Sequence, residues 1–311
     1  MEYIGVDIGG TKCAVVRADK SGKILEKIRF DTADRNDTLA RIFSAVNAMK
    51  TTSTASVGIS CGGPLDSSRG MILSPPNLPG WIDVPIVEMI KEKTGLRAAL
   101  CNDANACALA EWKFGAGRGT KNMVFLTAGT GMGAGLILDG RLYSGTCDMA
   151  GEVGHLRLAP RGPVGFGKEG SFEGFCSGGG IGRLARAEAE KAMARGVFPA
   201  YCKSRAELDG ISAKSVAVAA DAGDKTAIKV YKKSGAMLGR ALAVIVDIIN
   251  PEMIVIGSVF QRSGHLLRAE MEKTLKKEAI CYSLDVCRVV PAELGDSIGD
   301  VAAVTVAMEM A

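Results

Sequence analysis

Val6-Asp7-Ile8-Gly9-Gly10-Thr11-Lys12 is the most informative segment of this chain, and a short apolar run lies on each side of it. Its setting predicts a tight turn between two β-strands rather than a strand-to-helix loop. The adjacent Gly9 and Gly10 let backbone N–H groups approach an anion closely. Asp7 is placed to hold a hydrated Mg²⁺, and Thr11 and Lys12 are placed to meet phosphate oxygens. Taken alone, the segment is equally typical of an ordinary glycine hairpin.

A second glycine-rich hairpin, residues 127–135 (TAGTGMGAG), follows another predicted strand much later in the chain. Its turn contains Gly129, Thr130 and Gly131. Two such hairpins, each after a strand, suggest that the two halves of the protein bind one phosphate chain between them. The same string also fits the dinucleotide pattern G-x-G-x-x-G/A. That pattern needs a helix directly after the loop, whereas residues 135–138 continue as a strand, so a dehydrogenase is the weaker interpretation.

The bulk composition is that of an ordinary globular protein. At 311 residues the chain is long enough for about two domains, and 47% of its residues are hydrophobic. The net charge of +4 is too small to favour nucleic acid or an anionic membrane as a partner. The nine cysteines contain no C-x-x-C pair, and no signal peptide or bilayer-length apolar run is visible. These features predict a reduced, cytoplasmic protein.

Strands and helices alternate along the chain, which predicts an α/β fold with antiparallel leading hairpins. Apolar residues recur at helical spacing in residues 36–49, and Asp139-Gly140 predicts a type I′ hairpin. Residues 144–180 are predicted to be a long glycine-rich loop region, of a length that is usually functional or disordered. Further helices are predicted at residues 85–95, 103–114, 181–195, 215–222, 224–249, 266–275 and 296–310. Further strands are predicted at residues 97–101, 253–256 and 285–290.

Asn102 and Asp103 stand where a predicted strand ends and a helix begins. In open α/β sheets, ligands bind at the carboxyl ends of the strands. Asp103 is therefore a candidate general base for a substrate hydroxyl, as phosphoryl transfer to an alcohol requires. A helix N-cap is an equally common role for an aspartate at such a position, and position alone leaves both open.

A set of carboxylate, amide and imidazole side chains suits a polyhydroxylated ligand, because such groups donate to and accept from hydroxyls. His155 is one of only two histidines and lies three residues from an acid. A lone histidine is more often structural than catalytic, and spacing does not establish that the set comes together. Its members are Asn77, Asn102, Asp103, Glu152, His155 and Glu173.

Together these motifs resemble the ROK family of sugar kinases, within the hexokinase/actin-like ATPase superfamily. Seven motifs in the family's order carry the resemblance, which runs nearly end to end. They are residues 7–12 (DIGGTK), 58–66 (GISCGGPLD), 77–81 (NLPGW), 102–105 (NDAN), 127–135, 151–155 (GEVGH) and 250–257 (NPEMIVIG). The resemblance implies two ribonuclease-H-like domains with a central cleft. Residues 1–118 would form the N-terminal domain, with a final helix at 295–311 packing back onto it, and residues 119–294 the nucleotide-binding domain.

The resemblance also implies roles for single residues. Asp103 is the implied catalytic base for the sugar 6-hydroxyl, and Asp7 holds Mg²⁺ through water. The implied sugar ligands are Gly63, Asn77, Asn102, Asp103, Glu152, His155 and Glu173. The implied ATP-binding residues are Gly9, Gly10, Thr11, Lys12, Gly129, Thr130, Gly131 and Gly257. ATP and Mg²⁺ are thus the expected cofactors.

One departure from the family pattern concerns zinc. Most ROK proteins bind structural zinc through this histidine and three cysteines of a C-x-C-G-x-x-G-C-x-E loop, whose positions here hold Val164, Phe166 and Ser171. A structural zinc site needs about four ligands, so we expect zinc to be absent. Cys176 is close in sequence but displaced, and we do not expect it to restore a site together with Cys147.

We expect an apolar cluster to replace the structural zinc site. Its expected members are Val164, Phe166, Phe172 and Phe175. Two lesser departures are Gly62, where the family often has proline, and Ser258, where a second glycine is common. They concern the loop shape and the adenine contacts rather than the phosphate site.

The resemblance implies ATP-dependent phosphorylation of a glucose-like hexose at its 6-hydroxyl. The alternative acceptor is an N-acetylhexosamine, either N-acetylglucosamine or N-acetylmannosamine. A non-catalytic ROK-type sugar-sensing regulator is the rival from another class. Such regulators carry an N-terminal helix-turn-helix, for which a first strand beginning by Tyr3 leaves no room. A homodimer is expected, with no nucleic acid or membrane partner.

Overall fold

A computed structural model describes residues 1–310 and has the predicted α/β class. Its strands are β1 (Glu2–Ile8), β2 (Lys12–Asp19), β3 (Ile24–Asp31), β4 (Thr54–Cys61), β5 (Leu65–Asp66), β6 (Met71–Ile72), β7 (Ala98–Asn102), β8 (Met123–Ala128), β9 (Met132–Leu138), β10 (Arg141–Tyr143), β11 (Val164–Gly165), β12 (Lys168–Glu169), β13 (Met253–Ile256) and β14 (Arg288–Pro291). Its helices are α1 (Arg35–Met49), α2 (Ile86–Thr94), α3 (Asp103–Phe114), α4 (Phe172–Cys176), α5 (Gly178–Met193), α6 (Ala213–Asp221), α7 (Lys225–Ile249), α8 (Val259–Glu278), α9 (Cys281–Asp285) and α10 (Ile298–Met308).

The chain divides into two compact units. Unit 1 contains residues 1–121, 135–150 and the segment from residue 293 to the end of the described chain. Unit 2 contains residues 122–134 and 151–292. The chain passes from unit 2 to unit 1 within β9, so this division does not follow a single linker.

The sheet of unit 1 has the strand order β3-β2-β1-β4-β7. Strands β1 to β3 are antiparallel, whereas β4 and β7 run parallel to β1. The carboxyl ends of the three parallel strands therefore lie at one edge, where Ile8 pairs with Cys61 and Cys61 pairs with Asn102. Buried aliphatic side chains from the sheet, α1 and α2 form the core that supports this edge.

Helix α10 lies directly on β1 and β4, and two glycines make that approach possible. A Cβ at Gly5 would lie 2.7 Å from the backbone N of Val304, and one at Gly58 would lie 2.1 Å from the carbonyl O of Ala303. The last helix and the first sheet of unit 1 are therefore packed backbone to backbone. The last position of the segment predicted at 295–311 lies outside the described residues.

The second sheet has the order β10-β9-β8-β13-β14, in which β8, β13 and β14 are parallel. In unit 2, α7 packs against α4, α5, α6 and α8. The N-cap of α7 is Asp224, whose side chain accepts a hydrogen bond from the backbone N–H of Ala227 (2.8 Å). It ends at Asn250, which has the left-handed φ of 50° and precedes Pro251. The predicted stop at these two residues is confirmed.

The glycine-rich region contains more regular structure than its composition predicts. Residues 144–180 include a 3₁₀ helix at Val153–His155, the hairpin β11–β12 and helix α4. Helix α5 begins at Gly178 rather than at residue 181, because the Ser177 side chain accepts from the backbone N of Gly180 and caps it. The strand predicted at residues 285–290 is wrong at its start, since α9 ends at Asp285 and β14 begins at Arg288.

The type I′ turn predicted between β9 and β10 is confirmed. Asp139 and Gly140 have φ angles of 52° and 72°, as this turn requires at both positions. Leu138 pairs with Arg141 across it. Over residues 1–310, no helix combines the length and the apolar character that crossing a bilayer needs.

Candidate active site

The first glycine hairpin joins β1 to β2 and is held by short contacts. The backbone N–H of Gly9 donates to the carbonyl O of Lys12 (3.1 Å), and the hydroxyl of Thr32 donates to the carbonyl O of Gly9 (2.6 Å). Gly10 lies so close to Asn77 that a Cβ would be 2.5 Å from the Asn77 carbonyl O. A side chain therefore does not fit at Gly10. The exposed residues of the turn are Gly10, Thr11 and Lys12.

Asp7 lies at the carboxyl end of β1, beside this hairpin. Burial raises its pKa to about 6, and the negative charges of Asp103 and Asp300 add to the rise, whereas Lys27 and Arg29 oppose it. Mg²⁺ is usually held by one or two carboxylates, waters and substrate phosphates rather than by a complete protein cage. Asp7 fits that role, although residues 1–310 contain no group of three His, Cys, Asp or Glu able to hold a metal by themselves.

Asn102 and Asp103 form the junction of β7 and α3. The N-cap of α3 is Asn102, whose side chain accepts from the backbone N of Ala104 (3.0 Å). The Asp103 carboxylate accepts from the same N–H (2.8 Å) and stays accessible to solvent. Loss of surrounding bulk water raises the pKa of Asp103, and the bond from Ala104 lowers it. Because Asn102 caps the helix, capping does not require Asp103.

The loop after β4 passes beside this junction. A Cβ at Gly62 would lie 3.9 Å from Oδ2 of Asp103, and one at Gly63 would lie 3.4 Å from Nδ2 of Asn102. Unit 1 thus brings several predicted residues to the carboxyl edge of its sheet. They are Asp7, Gly9, Gly10, Gly63, Asn77, Asn102 and Asp103.

The second glycine hairpin joins β8 to β9, against the first turn of α5. The backbone N–H of Gly178 donates to the carbonyl O of Gly129 (2.7 Å), and a Cβ at Gly179 would lie 2.7 Å from the carbonyl O of Thr130. Helix N-termini bind phosphate well, because their first N–H groups have no partner within the helix. Gly257 lies on the neighbouring strand end and donates to the carbonyl O of Leu126 (2.9 Å).

A cavity of about 930 Å³ opens beside this hairpin in unit 2. Ile211, Ala217 and Val259 give it apolar walls, and Arg183 and Lys214 add positive charge. Its volume is within the range of small-molecule sites, which run to roughly 1,000 Å³. A glycine-rich turn beside a helix N-terminus, at one side of a partly apolar cavity, suits a nucleotide.

Three predicted sugar ligands lie on or directly before short helices of unit 2. Glu152 precedes the 3₁₀ helix that ends at His155, and Glu173 belongs to α4. Oε2 of Glu173 accepts from the backbone N of Met132 (3.2 Å), in the second glycine hairpin. A Cβ at Gly154 would lie 3.5 Å from the Cβ of Glu173. Glu173 therefore lies against both the hairpin and the helix that carries His155.

The predicted apolar cluster is wrong for half of its members. Phe172 and Phe175 are buried in α4, but the side chains of Val164 and Phe166 are 47% and 69% exposed. In the hairpin β11–β12, the residue that faces α4 is Gly165. A Cβ at this position would lie 2.6 Å from the backbone N of Gly174. Since neighbouring residues of a strand point to opposite faces, Val164 is directed away from α4.

The two cysteines considered for a metal site differ in setting. Cys176 is buried, its thiol donates to the carbonyl O of Ser234 (3.5 Å), and burial raises its pKa. Cys147 is exposed in unit 1. Because zinc binds the thiolate, Cys176 is a poor ligand in this environment.

Sequence reasoning missed the start of α5 and one carboxylate. The available signal for the helix start was Ser177, which is the N-cap of α5. The three glycines that follow it have a low helix propensity, so the start was placed too late. Asp300, in the first turn of α10, forms an ion pair with Lys27 of β3 and contributes to the pKa of Asp7. No local pattern identifies Asp300, because its partners are far away in the sequence.

Two α/β units, each with a glycine hairpin at its leading strands, define the ribonuclease-H-like fold of the actin-like ATPases. Within that class, this chain belongs to the ROK family, whose sequence profile matches residues 3–309. The predicted fold and family are therefore confirmed.

Relatives and solved structures agree with this assignment. A glucokinase of Thermotoga maritima is 32% identical over 99% of this chain and 98% of its own length. An N-acetylmannosamine kinase of Citrobacter koseri is 31% identical over 91% of this chain and 92% of its own. The crystal structure of a ROK family glucokinase from Streptomyces griseus, in complex with glucose and AMPPNP, has a TM-score of 0.81 and 30% identity, covering 99% of this chain and 100% of that one. A ROK family transcriptional regulator has a TM-score of 0.85 and 25% identity, covering 98% of this chain and 77% of that one.

Proposed function

We propose that this protein transfers the terminal phosphoryl group of ATP to the 6-hydroxyl of a hexose. The observation that carries the proposal is Asp103, a solvent-accessible carboxylate at the carboxyl end of β7 that α3 does not need as its cap. Asp7 and the first glycine hairpin lie at the same edge of that sheet. A base, a cation ligand and a phosphate turn are the parts that phosphoryl transfer to an alcohol uses.

Asp103 acts as the general base. Its carboxylate accepts the proton of the 6-hydroxyl as the oxygen attacks phosphorus, and the ADP oxygen leaves on the opposite side. A raised pKa makes this carboxylate a stronger base than an ordinary aspartate, so the proton is accepted more readily. Asp7 would hold a Mg²⁺, which would supply positive charge to the phosphates.

The proposed contacts to the phosphates of ATP are, in unit 2, the second glycine hairpin and the first turn of α5, and, in unit 1, the first glycine hairpin. Their backbone N–H groups need no reorganisation when charge develops on the transferred group. The cavity beside Gly129 receives the nucleoside, with Ile211 and Val259 against the base. The proposed ligands of the sugar hydroxyls are Gly63, Asn77 and Asn102 in unit 1, and Glu152, His155 and Glu173 in unit 2.

Glucose is the acceptor we favour, since the Thermotoga maritima and Streptomyces griseus relatives are glucokinases. The alternative is an N-acetylhexosamine, as the Citrobacter koseri relative is an N-acetylmannosamine kinase. A cytoplasmic location and a homodimer stay predictions from the sequence.

A sugar-sensing regulator is the second candidate, favoured by the likeness to a ROK family transcriptional regulator. The two candidates differ in turnover. A regulator binds sugar without releasing ADP, whereas a kinase releases one ADP for each sugar phosphorylated.

A coupled ADP-release assay over a panel of hexoses and N-acetylhexosamines tests the proposal. We expect sugar-dependent ADP release, fastest with glucose, and a 6-phosphate product identified by ³¹P NMR. Reactions without sugar report background ATP hydrolysis. Flat rates across the panel, with sugar binding detected by calorimetry, would favour the regulator instead.

A further inference from the structure

The hairpin β11–β12 carries one large aromatic residue at its tip. Because Gly165 pairs with Lys168, its turn consists of Phe166 and Gly167, whose φ angles are 41° and 75°. Two-residue turns with positive φ at both positions normally take Asn-Gly or Gly-Gly. A phenylalanine seldom adopts such a backbone, and this side chain is 69% exposed. Neither backbone preference nor burial accounts for Phe166.

The ring of Phe166 does contact His155. The two rings meet edge to face, with centroids 5.2 Å apart and an interplanar angle of 78°. This is an attractive geometry for a pair of aromatic rings. The hairpin reaches the same residue a second time, because Nζ of Lys168 donates to the carbonyl O of His155 (2.8 Å). The hairpin therefore holds both the backbone and the ring of His155.

The imidazole nitrogens of His155 remain available to a ligand. Across the described part of the chain, residues 1–310, neither nitrogen takes part in a hydrogen bond or an ion pair. Glu173, a second proposed sugar ligand, touches the same hairpin, since a Cβ at Gly165 would lie 2.8 Å from its Cβ. The hairpin thus supports two of the proposed sugar ligands of unit 2.

We propose that Phe166 is a positioning residue for sugar binding, whose ring sets the plane of the His155 imidazole. Hydrogen bonds weaken steeply away from linear geometry, so the angle of the imidazole decides how well its nitrogens meet sugar hydroxyls. Without the Phe166 ring, the imidazole rotates more freely and binds the sugar less tightly. The proposal rests on the proposed function, in which His155 is a sugar ligand.

Phe166→Asn is the informative variant, because asparagine accepts a positive φ but has no aromatic ring. We expect the KM for the sugar to rise about three- to tenfold, the scale of an aromatic pair, with the KM for ATP unchanged. The melting temperature should stay the same or rise, since the backbone suits asparagine better. Phe166→Tyr, which keeps the ring, should restore the sugar KM. Val164→Ala, in the same hairpin but outside the ring contact, is the matched control.

An NMR measurement tests the contact without turnover. The chain has two histidines, so the imidazole signals of His155 and His265 can be assigned with a His265→Asn variant. We expect Phe166→Asn to shift the His155 signal and to leave the His265 signal in place, because His265 pairs with Asp221 elsewhere in unit 2. An unshifted His155 signal in Phe166→Asn would overturn the proposal.

His155→Ala separates this proposal from the proposed function. A raised sugar KM in His155→Ala together with a normal one in Phe166→Asn would overturn the positioning role alone. Normal sugar KM values in both variants would reject His155 as a sugar ligand and the positioning role with it. Raised values in both, with Phe166→Tyr near wild type, support the proposal.

Discussion

Asp103 raises the pKa of Asp7 from a position two strands away in the sheet of unit 1. Burial is the first cause of that rise to about 6, and the negative charge of Asp103 is the second. Asp7 lies near the carboxyl end of β1 and Asp103 directly follows β7, and β4 lies between these strands. Because β1, β4 and β7 are parallel, both carboxylates lie at the carboxyl edge of the sheet. The proposed base, Asp103, therefore acts electrostatically on the proposed cation ligand, Asp7.

Asp103→Asn should abolish phosphoryl transfer while sugar binding persists. The amide has the same shape but does not accept the 6-hydroxyl proton, so we expect kcat to fall by about 10²- to 10⁴-fold. Steady-state kinetics and calorimetric sugar binding measure the two effects. Glu92→Gln, which neutralises an exposed carboxylate on α2, is the control. Turnover near the wild-type rate in Asp103→Asn would reject the base.

Asp7→Asn should stabilise the fold at neutral pH although it removes the cation ligand. The pKa of Asp7 is about 6 in the folded protein, against an ordinary aspartate value of 3.8, so its ionisation opposes folding. This destabilisation is absent below about pH 3.8 and complete above about pH 6. We expect the variant to gain roughly 1–3 kcal/mol of unfolding free energy near pH 7.5, and little near pH 4.

Chemical denaturation in magnesium-free buffer at both pH values measures the effect of Asp7→Asn. Asp37→Asn, an exposed carboxylate in the same unit, is the control. Equal stability of Asp7→Asn and wild type near pH 7.5 would contradict the burial argument.

Gly58→Ala should destabilise unit 1. Its Cβ would lie 2.1 Å from the carbonyl O of Ala303, so α10 or β4 must move. Such overpacking typically costs about 1–3 kcal/mol. Thermal unfolding measures the loss, and Gly210→Ala is the control, because no atom lies within 4 Å of its Cβ position. Equal melting temperatures for the two variants would show that α10 adapts freely.

Arg183→Ala should weaken nucleotide binding without affecting the sugar. Arg183 lines the cavity of unit 2, and its Nη1 lies 3.3 Å from where a Cβ at Gly179 would be. Loss of a charged hydrogen bond should raise the KM for ATP about tenfold. Arg195→Ala is the control, because Arg195 lies in the turn after α5 and does not line the cavity. A rise in the sugar KM instead would place Arg183 in a different role.

Treatment with a zinc chelator should leave the fold unchanged, because we expect no structural zinc. Two of the family's cysteine positions hold Val164 and Phe166, and Cys176 has a raised pKa. We expect elemental analysis to find far less than one zinc per chain and chelation to leave the melting temperature in place. Stoichiometric zinc, lost on chelation together with stability, would require other ligands.

Strand ends and turns were predictable because their signals are local. The glycines of the two hairpins, Asp139-Gly140 and Asn250-Pro251 mark backbone conformations that few other residues adopt. Residues 144–180 were harder, since glycine lowers the apparent propensity for helices that a serine cap and tertiary packing then stabilise. The start of α5 at Gly178 is the example.

Short motifs were sufficient to predict the α/β class and the family, both of which are confirmed. The residues expected to bind phosphate stay a prediction. The packing of distant segments was needed to show that Asn102 rather than Asp103 caps α3, and that Asp300 and Lys27 contribute to the pKa of Asp7. It also decided that Phe166 lies against His155 instead of in an apolar cluster. The physical reason is that pKa values, ring contacts and burial depend on neighbours from distant parts of the chain, which no local pattern specifies.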